Sequence, residues 1–238
     1  MKILSIVGSP RENGNTRFLA QTFCDGARGT GWEVEEVILN QKEIHGCIHC
    51  DACLEAGICS IKDDQAEIIE KMRAADGFVL SSPVYCFSVT AQMKAFIDRT
   101  YSMCRPKWVT GVEGKPVFFI VGSAAPAKLD PNYVLHHSLT FETMFRIARA
   151  AKLAQGSVPL KAVIDPMAPF DATVDTLRIL YQVSSILGME PVGYIAAESL
   201  GHDKDAVRNH RPEDAQNAAA SGAKFAFMGG MMKAKAFL

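Results

Sequence analysis

The feature that most constrains this chain is its opening. An apolar run over residues 3–7 is followed at once by Gly8-Ser9-Pro10-Arg11-Glu12-Asn13-Gly14-Asn15-Thr16. Such a run, lacking alternation, predicts a strand covered on both faces, as in a parallel sheet. Phe18, Leu19, Phe23 and Ala27 then recur at helical spacing, and Gly29 and Gly31 end that helix. A strand, a short polar loop and a helix N-terminus together make an anion site. The first-turn N–H groups have no intrahelical partners, and the macrodipole favours negative charge there. Ser9, Asn15 and Thr16 add donors, Arg11 adds a permanent positive charge, and Gly14 lets the backbone approach a ligand. The ligand these groups suit is a phosphate monoester. No Gly-Lys-Ser/Thr closes the loop, and its spacing is not G-x-G-x-x-G, so it is neither a Walker A loop nor a dinucleotide fingerprint. An ordinary strand–helix turn with polar caps would leave a similar trace.

Further along, residues 32–39, 77–81, 115–121 and 192–197 read as strands, the third of these being the most apolar and placed centrally. Helices are expected over 64–75 behind an Asp63 or Asp64 cap, and over 90–103 with Met93, Phe96, Ile97 and Tyr101 inward. Others are expected over 138–152, from Asp171 or Thr173 to Leu187, and from Pro212 to about Phe227. Five strands alternating with helices give a doubly wound α/β sheet, with residues 1–228 as a single domain. The expected strand order is 2-1-3-4-5, flavodoxin-like and parallel, with an elaboration over about 125–170 after strand 4 and a loose tail over 229–238. In such sheets ligands sit beyond the carboxyl ends of the strands, at the switch point. The loops after strands 1, 3 and 4 therefore become neighbours. They carry Ser9 to Thr16, then Pro83, Val84, Tyr85, Cys86 and Phe87, then Gly122 and Ser123.

Charge narrows the partners. Lys+Arg of 25 against Asp+Glu of 26 leaves a net charge of −1 without long blocks of one sign, which argues against nucleic acid or an anionic membrane surface. No apolar run reaches the roughly 18 residues that span a bilayer. The chain opens on a strand-like sequence with no secretory signal evident, so a cytoplasmic, reducing location is the expectation.

Seven cysteines are present, an odd number in a chain too long for a small disulfide scaffold. Cys47, Cys50, Cys53 and Cys59 cluster within residues 44–62 as C-x2-C-x2-C-x5-C. The first three repeat the close spacing of bacterial ferredoxins, where thiolates hold Fe–S clusters. Gly46 and Gly57 offer the backbone freedom to wrap such a centre. A [4Fe-4S] cluster, a Cys₄ zinc ion and an empty reduced loop all remain open on this spacing. His45 and His49 read as loop residues, and Cys24 and Cys104 read as core. Cys86 reads as a small, half-buried residue.

Taken together, Gly8-Ser9-Pro10-Arg11…Asn15-Thr16, Ser82-Pro83-Val84-Tyr85 and Ala91-Gln92-Met93-Lys94-Ala95-Phe96-Ile97-Asp98-Arg99 resemble the NAD(P)H-dependent FMN reductase group of flavodoxin-like proteins. The four-cysteine stretch makes the chain similar to the iron-sulfur flavoprotein branch of that group. The resemblance covers about residues 1–125. It implies FMN phosphate at Ser9, Arg11, Asn15 and Thr16 and the flavin ring beside Pro83, Val84, Tyr85, Cys86 and Phe87. It also implies a homodimer, or a tetramer made of dimers. The run Gly122-Ser123-Ala124-Ala125 stands where members of the group often carry a glycine pair. Physically, N–H groups beyond Pro83 are placed to meet a flavin's polar edge, and Tyr85 and Phe87 offer flat apolar surface or, alternatively, core.

The function expected is an FMN-dependent oxidoreductase taking hydride from NAD(P)H and reducing a quinone or free flavin. The alternative is a one-electron carrier with FMN and a [4Fe-4S] cluster fed by ferredoxin. A phosphate-ligand and Zn-binding module without redox chemistry is the third reading.

Overall fold

A computed structural model describes residues 1–107, 109–124, 172–197 and 200–235. Five strands, β1 (Lys2–Val7), β2 (Glu33–Ile38), β3 (Gly77–Pro83), β4 (Pro116–Gly122) and β5 (Glu190–Ala197), form one sheet in the order β2-β1-β3-β4-β5. All four pairings are parallel, so the expected flavodoxin-like order 2-1-3-4-5 is found. β4 lies inside the sheet with all seven positions buried, although the middle place belongs to β3.

Alternate side chains of each inner strand feed two cores. Along β4, Val117, Phe119 and Val121 join one, together with Leu4 and Ile6 of β1 and Phe78 and Leu80 of β3. The covering helices on that face are α3 (Gln65–Ala74), α4 (Ala91–Arg99) and α5 (Ala172–Ile186), through Ile68, Met72, Met93, Phe96 and Leu180. Phe118 and Ile120 point the other way and meet α1 (Asn15–Arg28) and α7 (Pro212–Lys235). There Phe23 stands 4.6 Å from Phe118 and 5.6 Å from Phe225, ring centre to ring centre. The single-turn helix α2 (Cys53–Ala56) lies in the cysteine loop, and α6 (Ala206–His210), absent from the sequence reading, precedes α7.

Several boundaries differ from expectation for local reasons. The segment expected as one helix over 90–103 is α-helical only to Arg99 and continues as a 3-10 turn, Thr100–Cys104, which leaves Tyr101 40% exposed rather than inward. Asp64 does not cap α3. Asp63 does so from one residue earlier, its Oδ1 accepting the Gln65 N–H at 3.1 Å, while Asp64 accepts the Glu43 N–H. The last helix runs past Phe227 to Lys235, so the stretch expected as a loose tail is helical that far, with Gly229 against the Trp32 ring. The expected helix over 138–152 and most of the 125–170 elaboration lie outside the described residues.

α1 and α7 cross at backbone contact. A Cβ on Gly222 would fall 1.8 Å from the Phe23 carbonyl oxygen, and one on Gly26 would fall 1.9 Å from that of Ala219. Gly222→Ala should therefore separate two backbones and cost about 2–3 kcal/mol. Gly230→Ala, which meets nothing within 4 Å among the described residues, should stabilise by about 0.5–1 kcal/mol through helix propensity. Urea unfolding midpoints of the two variants test the pair, and equal midpoints would show that the crossing tolerates expansion.

Candidate functional site

β1 and β3 are hydrogen-bonded neighbours whose following helices lie on opposite faces of the sheet, so their loops part and leave a crevice. Buried Thr90 draws the edges of the crevice together. Its hydroxyl donates to the Gly8 carbonyl at 2.7 Å and accepts the Met93 N–H as the cap of α4. Its own N–H donates to Ser82 Oγ at 3.1 Å. The crevice opens into a cavity of about 430 Å³. Ser9, Arg11, Gly14, Asn15, Thr16, Pro83, Val84, Tyr85, Cys86, Gly122 and Ser123 all border it, and of the flavin-site residues read from the sequence Phe87 alone does not.

At one end of the cavity α1 begins behind Gly14, whose backbone is extended and which supplies no side-chain cap, so the helix's first N–H groups are left to a ligand. Ser9 is buried and Arg11 exposed at this end, and the Arg11 N–H turns back to Ser9 Oγ at 3.3 Å. Asn15 differs from expectation. Its amide donates to the Asp203 carbonyl at 2.7 Å and its oxygen accepts the Val207 N–H at 3.0 Å, so both polar atoms tie α1 to the segment after β5. Thr16 is buried against β4, where a Cβ on Gly122 would come within 2.4 Å of its hydroxyl. The close approach needs glycine at this one position.

The other end is a tight turn. Tyr85 and Ser88 exchange backbone hydrogen bonds at 2.9 and 3.0 Å, and Cys86 and Phe87 between them take φ of 47° and 64°. Two consecutive non-glycine residues in the left-handed region hold strain, which surrounding structure must impose. The Val84 N–H, expected to face a ligand, is occupied by the Gly122 carbonyl at 2.8 Å. The N–H groups of Cys86 and Phe87 have no partner among the described residues. Tyr85 and Phe87 are 40% and 71% exposed, which rules out core packing for either. Cys86 is exposed, not half-buried.

A further wall escaped the sequence reading. Leu200, Gly201, His202, Asp203 and Lys204, following β5, border the same cavity and are laced to the loop after β4 by Leu200 N–H to Ser123 O and Gly201 N–H to Ala124 O, both 3.1 Å. Their one advance signal was topological, because β5 ends at the same edge as β4.

The cysteine loop forms a second depression, of about 730 Å³, against α4 and α5. Cys47, Cys50, Cys53 and Cys59 all border it, with Cys47 and Cys50 exposed and the other two half-buried. Among the described residues no three His, Cys, Asp or Glu side chains converge as ligands of one metal ion. Burial pushes the Cys53 thiol up, and the charges of Cys59, Cys47 and Cys50 add to that shift, so the four sulfurs feel one another. A hydrogen bond from Ser60 holds the exposed Cys50 thiol below its ordinary value. Gly57 takes φ of 69° as expected of it, but the other left-handed positions are His49 and Asp51, not Gly46. Cys24 and Cys104 are core, and burial pushes the Cys24 thiol to about 12.

A five-stranded parallel sheet in this order, with a ligand cavity at its switch point, defines a flavodoxin-like protein. The chain belongs to the NADPH-dependent FMN reductase family, whose model matches residues 1–157. It is 45% identical over 100 residues to an iron-sulfur flavoprotein of Methanocaldococcus jannaschii, covering 42% of this chain and 52% of that one. An iron-sulfur flavoprotein of Methanosarcina thermophila is 40% identical over 105 residues, 44% and 55% of the two chains. The chain thus spans about half the length of these relatives. Among solved structures, an NAD(P)H:quinone oxidoreductase from Methanothermobacter marburgensis superposes with a TM-score of 0.60 over 94% of each chain at 14% identity. An FMN-dependent NADH-azoreductase from Bacillus anthracis, solved with FMN, gives 0.59 over 95% of this chain and all of that one at 11% identity. These likenesses are of fold. Among the described residues no helix is long and apolar enough to cross a membrane.

Beneath the cysteine loop lies a buried ion pair. Burial opposes ionisation of Asp63, but hydrogen bonds from Arg99 and from the His45 and Gln65 N–H groups outweigh it and bring its carboxyl from 3.8 down to about 2. A depressed carboxylate stabilises the fold above its unfolded pKa and ceases to do so as pH falls through its folded one. About 2 kcal/mol of stability should accordingly disappear between about pH 4 and pH 2. Stability measured against pH for the protein and for Asp63→Asn checks this, and the variant should lack that part of the slope.

Proposed function

We propose that the chain is an FMN-dependent oxidoreductase which takes reducing equivalents from NAD(P)H and delivers them to a quinone- or flavin-type acceptor. The observation that carries this is the meeting of two different ends in one cavity, an uncapped helix N-terminus with Ser9 and Arg11, and the strained turn whose Cys86 N–H has no partner among the described residues. The first suits a phosphate and the second suits the polar edge of a flat ring. Gly122 lets Thr16 close up on β4 where both border the cavity, and a phosphate-suited end and a ring-suited end in one cavity fit FMN. The α1 N-terminus, Ser9, Arg11 and Thr16 would hold the phosphate. The turn over 83–87 would orient the ring and shield one side of it with Tyr85. Asn15 serves the site indirectly, by fixing the loop after β5 as a wall. When bound, FMN supplies the hydride and electron chemistry, so no side-chain acid or base is assigned.

The cysteine loop supports a second centre. Four thiols border one depression, and three of them packed evenly as C-x2-C-x2-C suit a [4Fe-4S] cluster better than the two separated cysteine pairs of a zinc ribbon. Cys47, Cys50, Cys53 and Cys59 would hold it, and it would relay single electrons between a ferredoxin-like donor and the flavin. A second copy of the chain is the partner we infer from the family resemblance.

Protein purified without oxygen should show flavin absorbance and about four irons and four sulfides per chain. Flavin without iron would leave the reductase alone, and absence of flavin would remove both readings. Arg11→Ala should weaken FMN binding about tenfold while leaving riboflavin affinity unchanged, because only the phosphate is affected. Gly122→Ala should weaken both ligands by displacing Thr16. Fluorescence titrations with the two flavins separate these outcomes.

A further inference from the structure

Arg99 closes α4 with its side chain buried. Nη1 donates to Asp63 Oδ2 at 2.5 Å and to the His45 carbonyl at 3.0 Å. Nη2 donates to Asp63 Oδ1 at 3.0 Å and to the Ile61 carbonyl at 3.1 Å. His45 and Ile61 stand on either side of the four cysteines in sequence, so one guanidinium grips both limbs of the loop. Asp63 adds to the grip by accepting the His45 N–H at 2.9 Å. The fifth donor, Nε–H, is buried and has no hydrogen-bond partner among the described residues. An arginine guanidinium stays charged in proteins, and the sulfur of Cys59 lies close enough to Arg99 to interact with it. No hydrogen bond of good geometry yet joins Arg99 to Cys59. A buried donor left unmade is costly, and the Cys59 sulfur is an acceptor within reach of Arg99.

We propose that Arg99 is a positioning residue for the cysteine loop: it clamps the loop's two limbs at their base and reserves its Nε–H for the Cys59 thiolate as that thiolate becomes a cluster ligand. The second half rests on the iron–sulfur reading above. The first half does not. A hydrogen bond and a fixed positive charge at a ligating sulfur both favour the reduced cluster, so they raise its potential. Lysine would keep the charge but has no planar fork to reach Asp63 and two carbonyls together.

The test compares the unaltered protein with Arg99→Gln, Arg99→Lys and Asp63→Asn, all purified anaerobically, with flavin absorbance as the control for folding. Iron and sulfide content, the midpoint potential of the iron centre and amide hydrogen exchange over residues 45–61 of the iron-free protein are measured. Arg99→Gln should retain far less iron, show a lowered potential in what remains, and exchange the loop at least about tenfold faster. Arg99→Lys should exchange as fast but keep a potential nearer the original. Asp63→Asn, which leaves the guanidinium in place, should loosen the loop without lowering the potential, and it carries the exchange test if Arg99→Gln binds no flavin. Unchanged exchange in both Arg99→Gln and Asp63→Asn overturns the clamp. Unchanged potential in Arg99→Gln overturns the role at Cys59. If the unaltered protein takes up no iron, the cluster reading and the role at Cys59 fall together, and the exchange rates alone decide the clamp.

Discussion

Helix α4 is pinned at both ends by buried polar side chains, and both candidate sites depend on that pinning. At its start Thr90 joins the end of β1 through the Gly8 carbonyl and the end of β3 through Ser82. At its end Arg99 grips the two limbs of the cysteine loop. Between them Met93 and Phe96 bury the helix against the sheet, so it cannot slide without breaking either attachment. At 1.5 Å per residue the two anchors stand roughly 13 Å apart along the helix axis. The cavity at the switch point and the cysteine depression are therefore held by one rigid element at a separation that a short helix sets.

Much of this arrangement was legible in the residues. The strand order followed from alternating apolar segments, and the neighbouring loops followed from the order. What stayed hidden was the identity of distant partners. Asn15 reads as a ligand group from its place in a polar loop at a helix N-terminus, yet its amide meets Asp203 and Val207, nearly the whole chain away. The Val84 N–H looks available until β4 is placed next to β3 and the Gly122 carbonyl takes it. Nothing in the local pattern of Leu200 to Lys204 marks a wall, because those residues acquire the role only from the sheet edge they follow. The end of α7 was misread for a different reason. Its paired glycines weaken a helical signal, whereas Gly229 is there to let the helix pass over Trp32.

The buried Arg99–Asp63 pair also says something about priorities. Replacing such a pair by apolar residues is often neutral or stabilising, so stability alone is weak reason to retain it. What apolar residues could not do is donate to two carbonyls and present a further N–H near Cys59. The pair is better understood as a device for holding irregular backbone in one conformation.

That requirement is acute in this loop. Between the limbs the chain makes only one helical turn, carries left-handed residues at His49, Asp51 and Gly57, and exposes Ile48 and Ile58 to solvent. It has almost no core of its own to keep the four sulfurs facing one depression. The strained turn at Cys86 and Phe87 presents the same problem at the other site, and its solution has the same form: lacing to Gly122 on one side and to Thr90 through Ser82 on the other. In both places the reactive ends are irregular and open, and the order they need is imported from the buried polar ends of α4.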